Sequence, residues 1–252
     1  MLPDFTPVAV KKLEGILQVE QQFQSKISTI GAIHHLNLIC LSGFCSGCTK
    51  KLLVYEYTPK GSLDVQLFQS SSMALDYKVP NFSWNCKGVI LSTRGMPDCI
   101  SHYDIKRGKI LSDASFVPKL ADFGLGKLVG RDFSSILTKM RGTIGYLAPE
   151  WIPGGSITAK ADVYGYGMML EITSGRRNIE PLTMEKGKAY FLALLACNKV
   201  VEGDVIDLLD HRVEGDVNDE ELDRMLKVAS WCIQDEENCR PTSHQWAKWF
   251  AF

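Results

Sequence analysis

The sequence predicts an α+β chain, and three observations carry that prediction. Short apolar runs of strand character fall within the first 57 residues, helical stripes dominate from residue 157 onward, and between them lies a stretch from Lys119 to Glu150 bounded by two distinctive tripeptides. It begins Lys119-Leu120-Ala121-Asp122-Phe123-Gly124 and ends Gly142-Thr143-Ile144-Gly145-Tyr146-Leu147-Ala148-Pro149-Glu150. An Asp at a strand end offers a hard oxygen ligand to Mg²⁺. The Phe can pack inward while the Gly lets the backbone turn, and the Ser- and Thr-containing segment between suits a loop that orders around a substrate.

The elements follow in order. Thr6 to Leu13 reads as a strand with Val8 and Val10 on one face and Ala9 and Lys11 on the other. Glu20 to Ile30 reads as a helix on the stripe Phe23, Ile27 and Ile30, with Gly31 as its stop. Leu36 to Phe44 is short and apolar, Cys45 to Lys51 is a turn, and Leu52 to Tyr57 is a buried strand. Thr58-Pro59-Lys60-Gly61-Ser62-Leu63 breaks the pattern as a connector, and Leu63, Leu67 and Phe68 suggest a short helix after it. Residues 70 to 98 carry the weakest signals, with a faint helical stripe from Trp84 to Arg94. Asp162 to Thr173, Tyr190 to Val201 and Leu222 to Ile233 read as helices, the first ended by Gly175-Arg176-Arg177.

Composition bounds the function classes. The 252 residues suffice for one large domain or two lobes with a shared core, and 45% apolar with 23% charged residues is ordinary for a globular protein. Lys plus Arg numbers 28 against 29 Asp plus Glu, which argues against nucleic acid as the main partner. No window approaches the roughly 18 apolar residues of a membrane span. Met1-Leu2-Pro3-Asp4-Phe5 lacks the basic and apolar regions of a signal peptide. Of the 8 Cys, only Cys45 and Cys48 are closely spaced, and no second pair completes a zinc site. Scattered thiols suit a reducing compartment, so the chain as given is expected in the cytoplasm.

Taken together, Val8 to Leu13, Phe23 to Gly31, Leu52 to Phe68, His102 to Asp113, Lys119 to Lys127, Gly142 to Trp151, Thr158 to Arg177 and Trp231 to Thr242 resemble a eukaryotic protein kinase. The wording is most similar to plant receptor-like serine/threonine kinases with lectin-type ectodomains, here truncated and divergent. The resemblance implies a bilobal protein-kinase-like fold, with residues 1–57 a partial N-lobe lacking the Gly-rich loop strands and residues 58–252 a larger, mainly helical C-lobe. It implies ATP and Mg²⁺ as cofactors, and a protein substrate or signalling partner. Related full-length receptors sit in the plasma membrane with the kinase on the cytoplasmic side.

Residue roles carry over position by position. Lys11 matches the strand lysine that contacts the α and β phosphates. Ala9 would lie above the adenine, Tyr55 at the back of the ATP pocket, and Glu56 and Thr58 would offer backbone groups to the adenine edge. Asp104, in His102-Tyr103-Asp104, matches the catalytic base, and Lys106 the cation that steadies the moving phosphate. Asp122 matches the Mg²⁺ ligand, and Thr143 lies in the loop that receives the substrate residue. Asp162 resembles the buried Asp that holds the catalytic-loop backbone, Glu150 and Arg240 resemble an ion pair tying that loop to the late helices, and Ile30, His102 and Phe123 fall where the family stacks side chains between its lobes.

The sequence also departs from the pattern. No Gly-rich loop precedes the strand at Val8, which would become a sheet edge. Lys26 stands where the small-lobe helix carries Glu, so Lys11 and Lys26 would repel; Glu20 is over a turn away and rotated off that face. Lys109 stands where the catalytic loop carries Asn, and has no oxygen to ligate a metal. An ammonium ~4 Å from a divalent ion is opposed by roughly 8 kcal/mol at an effective dielectric of ~20, so Lys109 would swing away. Arg94 to Cys99 joins the preceding helix to the catalytic loop about two turns early, and Leu170-Glu171 is one residue short. Tyr103 replaces a common Arg, leaving a phosphate on Ser134, Ser135, Thr138 or Thr143 less to pair with. Three functions remain open on these residues: a serine/threonine phosphotransferase impaired in this chain, a pseudokinase that binds partners, and a truncated product with no settled role.

Overall fold

A computed structural model describes residues 5–13, 19–31, 35–47, 50–68, 102–122, 143, 145–151, 158–170, 192–204, 208, 219–242 and 245. The stripe at Trp84 to Arg94, the junction at Arg94 to Cys99, Phe123, the loop residues Ser134, Ser135 and Thr138, and the stop at Gly175 lie outside them, as does the side chain of Ile30.

An antiparallel sheet is built from β1 (Val8–Leu13), β2 (Leu41–Ser46) and β3 (Lys51–Glu56) in the order β1-β3-β2. β3 is central, and its Leu53 and Tyr55 are buried, as its continuous apolar run requires. β1 pairs with β3 from Val8↔Glu56 to Leu13↔Lys51 and forms an edge of this described sheet, as expected. The strand is two residues shorter than Thr6 to Leu13, and the turn expected at Cys45 to Lys51 is tighter, because β2 runs on through Ser46 and Gly47 N–H closes on the Lys50 carbonyl at 3.0 Å.

Helix α1 (Val19–Ile30) lays Phe23 fully buried against the sheet, and Lys26, three residues on, lies on the same buried side. Glu20 is indeed turned elsewhere: it pairs with Lys51 at 2.7 Å. After β3, Gly61 takes a left-handed φ of +70° in the turn that Thr58 opens, and the short helix α2 (Leu63–Phe68) follows as expected.

Residues 102–122 form the loop and hairpin that position the site. A 3₁₀ turn at Arg107–Lys109 leads into β4 (Ile110–Ser112), which pairs antiparallel with β5 (Pro118–Leu120). Asp113 caps the hairpin by accepting from Ser115 and Val117 N–H at 2.8 and 2.9 Å. Leu120 N–H donates to Asn37 at 2.7 Å and Ile39 N–H to Leu120 at 3.0 Å, so the hairpin is stitched to the strand leading into β2.

The helical part comprises α3 (Lys160–Gly167), α4 (Leu192–Glu202) and α5 (Asp219–Cys232) among the described residues. The helix expected from Asp162 to Thr173 starts earlier and tightens into a 3₁₀ turn at Met168–Leu170, beside the position where the sequence is one residue short. α3 and α5 approach closely enough that a Cβ on Gly167 would lie 2.5 Å from Ile233 Cγ2. One core runs through both parts, joining Phe23, Leu53 and Tyr55 to Ile105, Ile110, Leu120, Val163, Met225 and Val228.

Candidate active site

Two backbone features bring the acidic residues together. Asp162, at the start of α3, is buried and accepts the N–H groups of His102 and Tyr103, both at 2.6 Å. This holds Tyr103 at a left-handed φ of 60° and aims Asp104 inward. On the hairpin, Ala121 N–H donates to the Lys109 carbonyl at 2.8 Å and His102 Nε2 meets the Ala121 carbonyl at 3.0 Å, so Lys109, His102 and Asp122 become neighbours. Asp122 itself has a φ of 64°.

Around these carboxylates stand lysines. Asp104 Oδ2 accepts from Lys109 Nζ at 2.5 Å, while its Oδ1 lies 3.3 Å from the Thr143 hydroxyl. Lys106 Nζ donates to that same hydroxyl at 2.6 Å, so Asp104, Lys106 and Thr143 form one cluster. Asp122 Oδ1 pairs with Lys26 at 2.6 Å and its Oδ2 with Lys11 at 2.9 Å; Lys109 is 3.8 Å from the latter oxygen. Burial works to raise the Asp122 pKa, but the Lys26, Lys109 and Lys11 ammoniums outweigh it and hold the carboxyl well below its usual range. Burial lowers the Lys26 pKa against the pull of Asp122.

Lys11 and Lys26 do not pair with each other, and the Lys11 charge works to lower the Lys26 pKa, but Asp122 lies between them and pairs with both. Lys109 lies inside the site. Its backbone is pinned by the hairpin, and the nearest strong acceptor for its ammonium is Asp104. Sequence reasoning missed the part Lys26 plays here. The available signal was its place on the Phe23 and Ile27 face of α1, which makes it a buried residue in need of a counter-charge.

Beside this cluster lies a cavity of about 290 Å³ lined by Ala9, Lys11, Tyr55, Glu56, Thr58 and Asp122, together with Val10, Ile39, Gly108, Lys109, Leu111 and Ala121. All the pocket residues expected from the sequence thus meet at one place. Tyr55 is 8% exposed and its buried hydroxyl has no hydrogen-bond partner among the described residues. The Glu56 carboxylate is turned to Lys119 (2.7 Å) and Cys40 N–H (2.7 Å), and its own N–H donates to the Cys40 carbonyl at 3.1 Å.

Below the site, Arg240 is fully buried and forks onto Glu150 with both contacts at 2.7 Å, the pair expected from the sequence. Tyr103, in the place of the common Arg, packs edge-on to Trp151 at a centroid distance of 6.2 Å.

A sheet with one helix, a helical body, and a paired Asp104 and Asp122 beside a cavity define a class that comparison with known proteins makes definite. The protein kinase domain model matches residues 4–250, and the chain belongs to the protein kinase family. Two G-type lectin S-receptor-like serine/threonine-protein kinases of Arabidopsis thaliana are 53% and 45% identical to it, over 97% and 94% of this chain. The rust resistance kinase Lr10 of Triticum aestivum is 37% identical over 96% of this chain. The chain spans 30%, 31% and 39% of the length of these three relatives. Among the described residues, no helix is long and apolar enough to cross a membrane.

The family implies ATP and Mg²⁺, and the two fare differently here. The cavity has an apolar wall of Ala9, Ile39, Tyr55 and Leu111 and a cationic floor, which fits an adenine nucleotide. A divalent cation does not fit: the Asp122 carboxylate already holds two ammoniums within 2.9 Å, and the next position offers the Lys109 ammonium in place of an oxygen donor.

Proposed function

We propose that the chain is the kinase domain of a receptor-like serine/threonine kinase in which phosphoryl transfer to protein Ser or Thr is strongly attenuated, so that it acts chiefly as a nucleotide- and partner-binding module. In this reading it works at the cytoplasmic face of a plasma-membrane receptor, Asp104 is the group that would take the substrate hydroxyl proton, Lys106 and Thr143 flank the transfer position, and Lys11, Ala9, Tyr55, Glu56 and Thr58 line the nucleotide cavity.

One observation carries the proposal: Lys109 Nζ lies 2.5 Å from Asp104 Oδ2 and 3.8 Å from Asp122 Oδ2, spanning both carboxylates. An ammonium held on one oxygen of the base favours its charged form, so the other oxygen is a weaker acceptor for a hydroxyl proton. A charge-assisted hydrogen bond is worth about 1.5–3 kcal/mol, which corresponds to roughly 10- to 100-fold in rate.

The test is transfer of radiolabelled phosphate to a protein substrate with Mg²⁺ and with Mn²⁺. The wild-type chain is expected to match Asp104→Ala, and Lys109→Asn to exceed the wild type at least tenfold. Robust wild-type transfer that disappears in Asp104→Ala overturns the attenuated reading.

A further inference from the structure

The cavity floor is unusual in what balances what. Lys11, Lys26 and Lys109 all lie within 3.8 Å of the Asp122 carboxylate, and Lys109 is also the partner of Asp104. Lys106 stands next to them on Thr143. Among the described residues four ammoniums therefore face two carboxylates, an excess of two positive charges, and of these groups Lys11, Lys109 and Asp122 line the cavity itself. Lys26 has an 8% exposed side chain and Lys109 a 12% exposed one, so solvent screens this excess poorly. Such a floor repels a divalent cation and attracts phosphate oxygens, to which lysine donates as a compact point charge.

The rest of the cavity specifies what could carry those phosphates. Its wall of Ala9, Ile39, Tyr55 and Leu111 is apolar. An apolar slot opening onto a cationic floor is complementary to a flat heterocycle joined to a polyanion.

From this we propose that the cavity binds a nucleoside triphosphate as its metal-free anion, with Lys11 and Lys109, which line it, and the Lys26 charge behind Asp122 supplying what a divalent cation would otherwise bring. The inference rests on the reading above in that Lys109 sits inside the site, and it adds a ligand state to it. In the metal-free complex the phosphates compete with Asp122 for the lysines. Magnesium adds two positive charges to a floor that already has an excess, so it weakens binding instead of promoting it.

The experiment is a calorimetric titration of the 252-residue chain with ATP, once in EDTA and once in excess Mg²⁺, with thermal melts of the same samples. ATP is expected to bind and raise the melting temperature in EDTA, and excess Mg²⁺ to weaken binding fivefold or more. Lys109→Asn is expected to reverse that order. Lys11→Met, at a half-exposed position that leaves packing intact, is expected to weaken the EDTA binding about tenfold. Inorganic tripolyphosphate and adenosine are each expected to bind at least tenfold more weakly than ATP.

ATP binding only with Mg²⁺, no ATP binding in either condition, or tripolyphosphate binding as tightly as ATP overturns the inference. These outcomes are independent of the transfer assay. A chain that transfers phosphate yet binds ATP in EDTA refutes the attenuated reading alone, and one that does not transfer but binds ATP only with Mg²⁺ refutes this inference alone.

Discussion

His102 is 2% exposed, sits between the loop carrying Asp104 and the strand end carrying Asp122, and accepts Asp104 N–H on Nδ1 at 3.2 Å. Burial, reinforced by the Lys109 charge, pushes its pKa down to about 4. A neutral imidazole is therefore built into the fold. Between pH 6.5 and 4 the unfolded chain takes up a proton that the folded chain refuses, so this contribution is present above the unfolded value and lost as pH falls through the folded one. Asp162 works in the opposite sense. Burial raises its pKa to about 7 despite two backbone N–H donors, so its contribution is present below about 4 and lost as pH rises through 7. The two oppose each other in the wild type, but Asp162 is retained in His102→Gln, so the difference between the two proteins isolates the histidine. The stability of the wild type relative to His102→Gln is expected to rise by about 3 kcal/mol from pH 4 to pH 6.5 in urea unfolding. A difference that stays flat over that window would count against a neutral buried imidazole.

At the scale of elements, α3 shows packing overriding propensity. Replacing Gly by Ala in an exposed helix gains about 1 kcal/mol. At Gly167 the added Cβ would meet Ile233 Cγ2 at 2.5 Å, Cys232 Cβ at 2.8 Å and the Ala229 carbonyl at 2.9 Å. Overpacking of this kind costs about 1–3 kcal/mol, so Gly167→Ala is expected to lower the melting temperature by about 3–10 °C by calorimetry. Gly165→Ala, with its nearest contact at 3.2 Å to Ile105, should cost less. A rise in melting temperature for Gly167→Ala would show that α3 and α5 can separate. The same elements show what was legible beforehand. β3, α1, α2 and α5 follow from apolar period and turn residues within a few positions of where they were expected, since those signals are local. The 3₁₀ end of α3 and the extra length of β2 depend on what packs or pairs across from them. So do the roles of Lys26 and Lys109. Each was weighed against a single expected neighbour, whereas Lys26 meets Asp122, 96 positions away, and Lys109 is held by a hairpin bond from Ala121. The motif residues Asp104, Lys106, Thr143 and Asp122 were legible because each sits in a short stretch that resembles the family's; their ion-pair partners were not.

At the scale of the whole molecule, Asp122 ties the sheet and α1 to the helical body, since Lys11 comes from β1, Lys26 from α1 and Asp122 from the end of β5. The three do not depend on it equally. Lys11 is 44% exposed and can turn to solvent, and Lys109 keeps Asp104, but Lys26 at 8% has only a buried position to occupy. Asp122→Asn is therefore expected to destabilise the chain by about 3 kcal/mol at pH 7, through the uncompensated Lys26 charge. Burial already lowers the Lys26 pKa with Asp122 in place, and removing the carboxylate lowers it further. The folded variant then binds fewer protons than its unfolded chain at high pH, so its stability should climb from pH 7 to pH 10 relative to the wild type. Lys26→Met combined with Asp122→Asn removes charge and counter-charge together, and is expected to recover most of the loss at pH 7. Chemical denaturation of the wild type, both single variants and the double variant at pH 7 and pH 10 closes the cycle. If the double variant is no more stable than Asp122→Asn alone, the tie between the two parts lies elsewhere than in the Lys26–Asp122 pair.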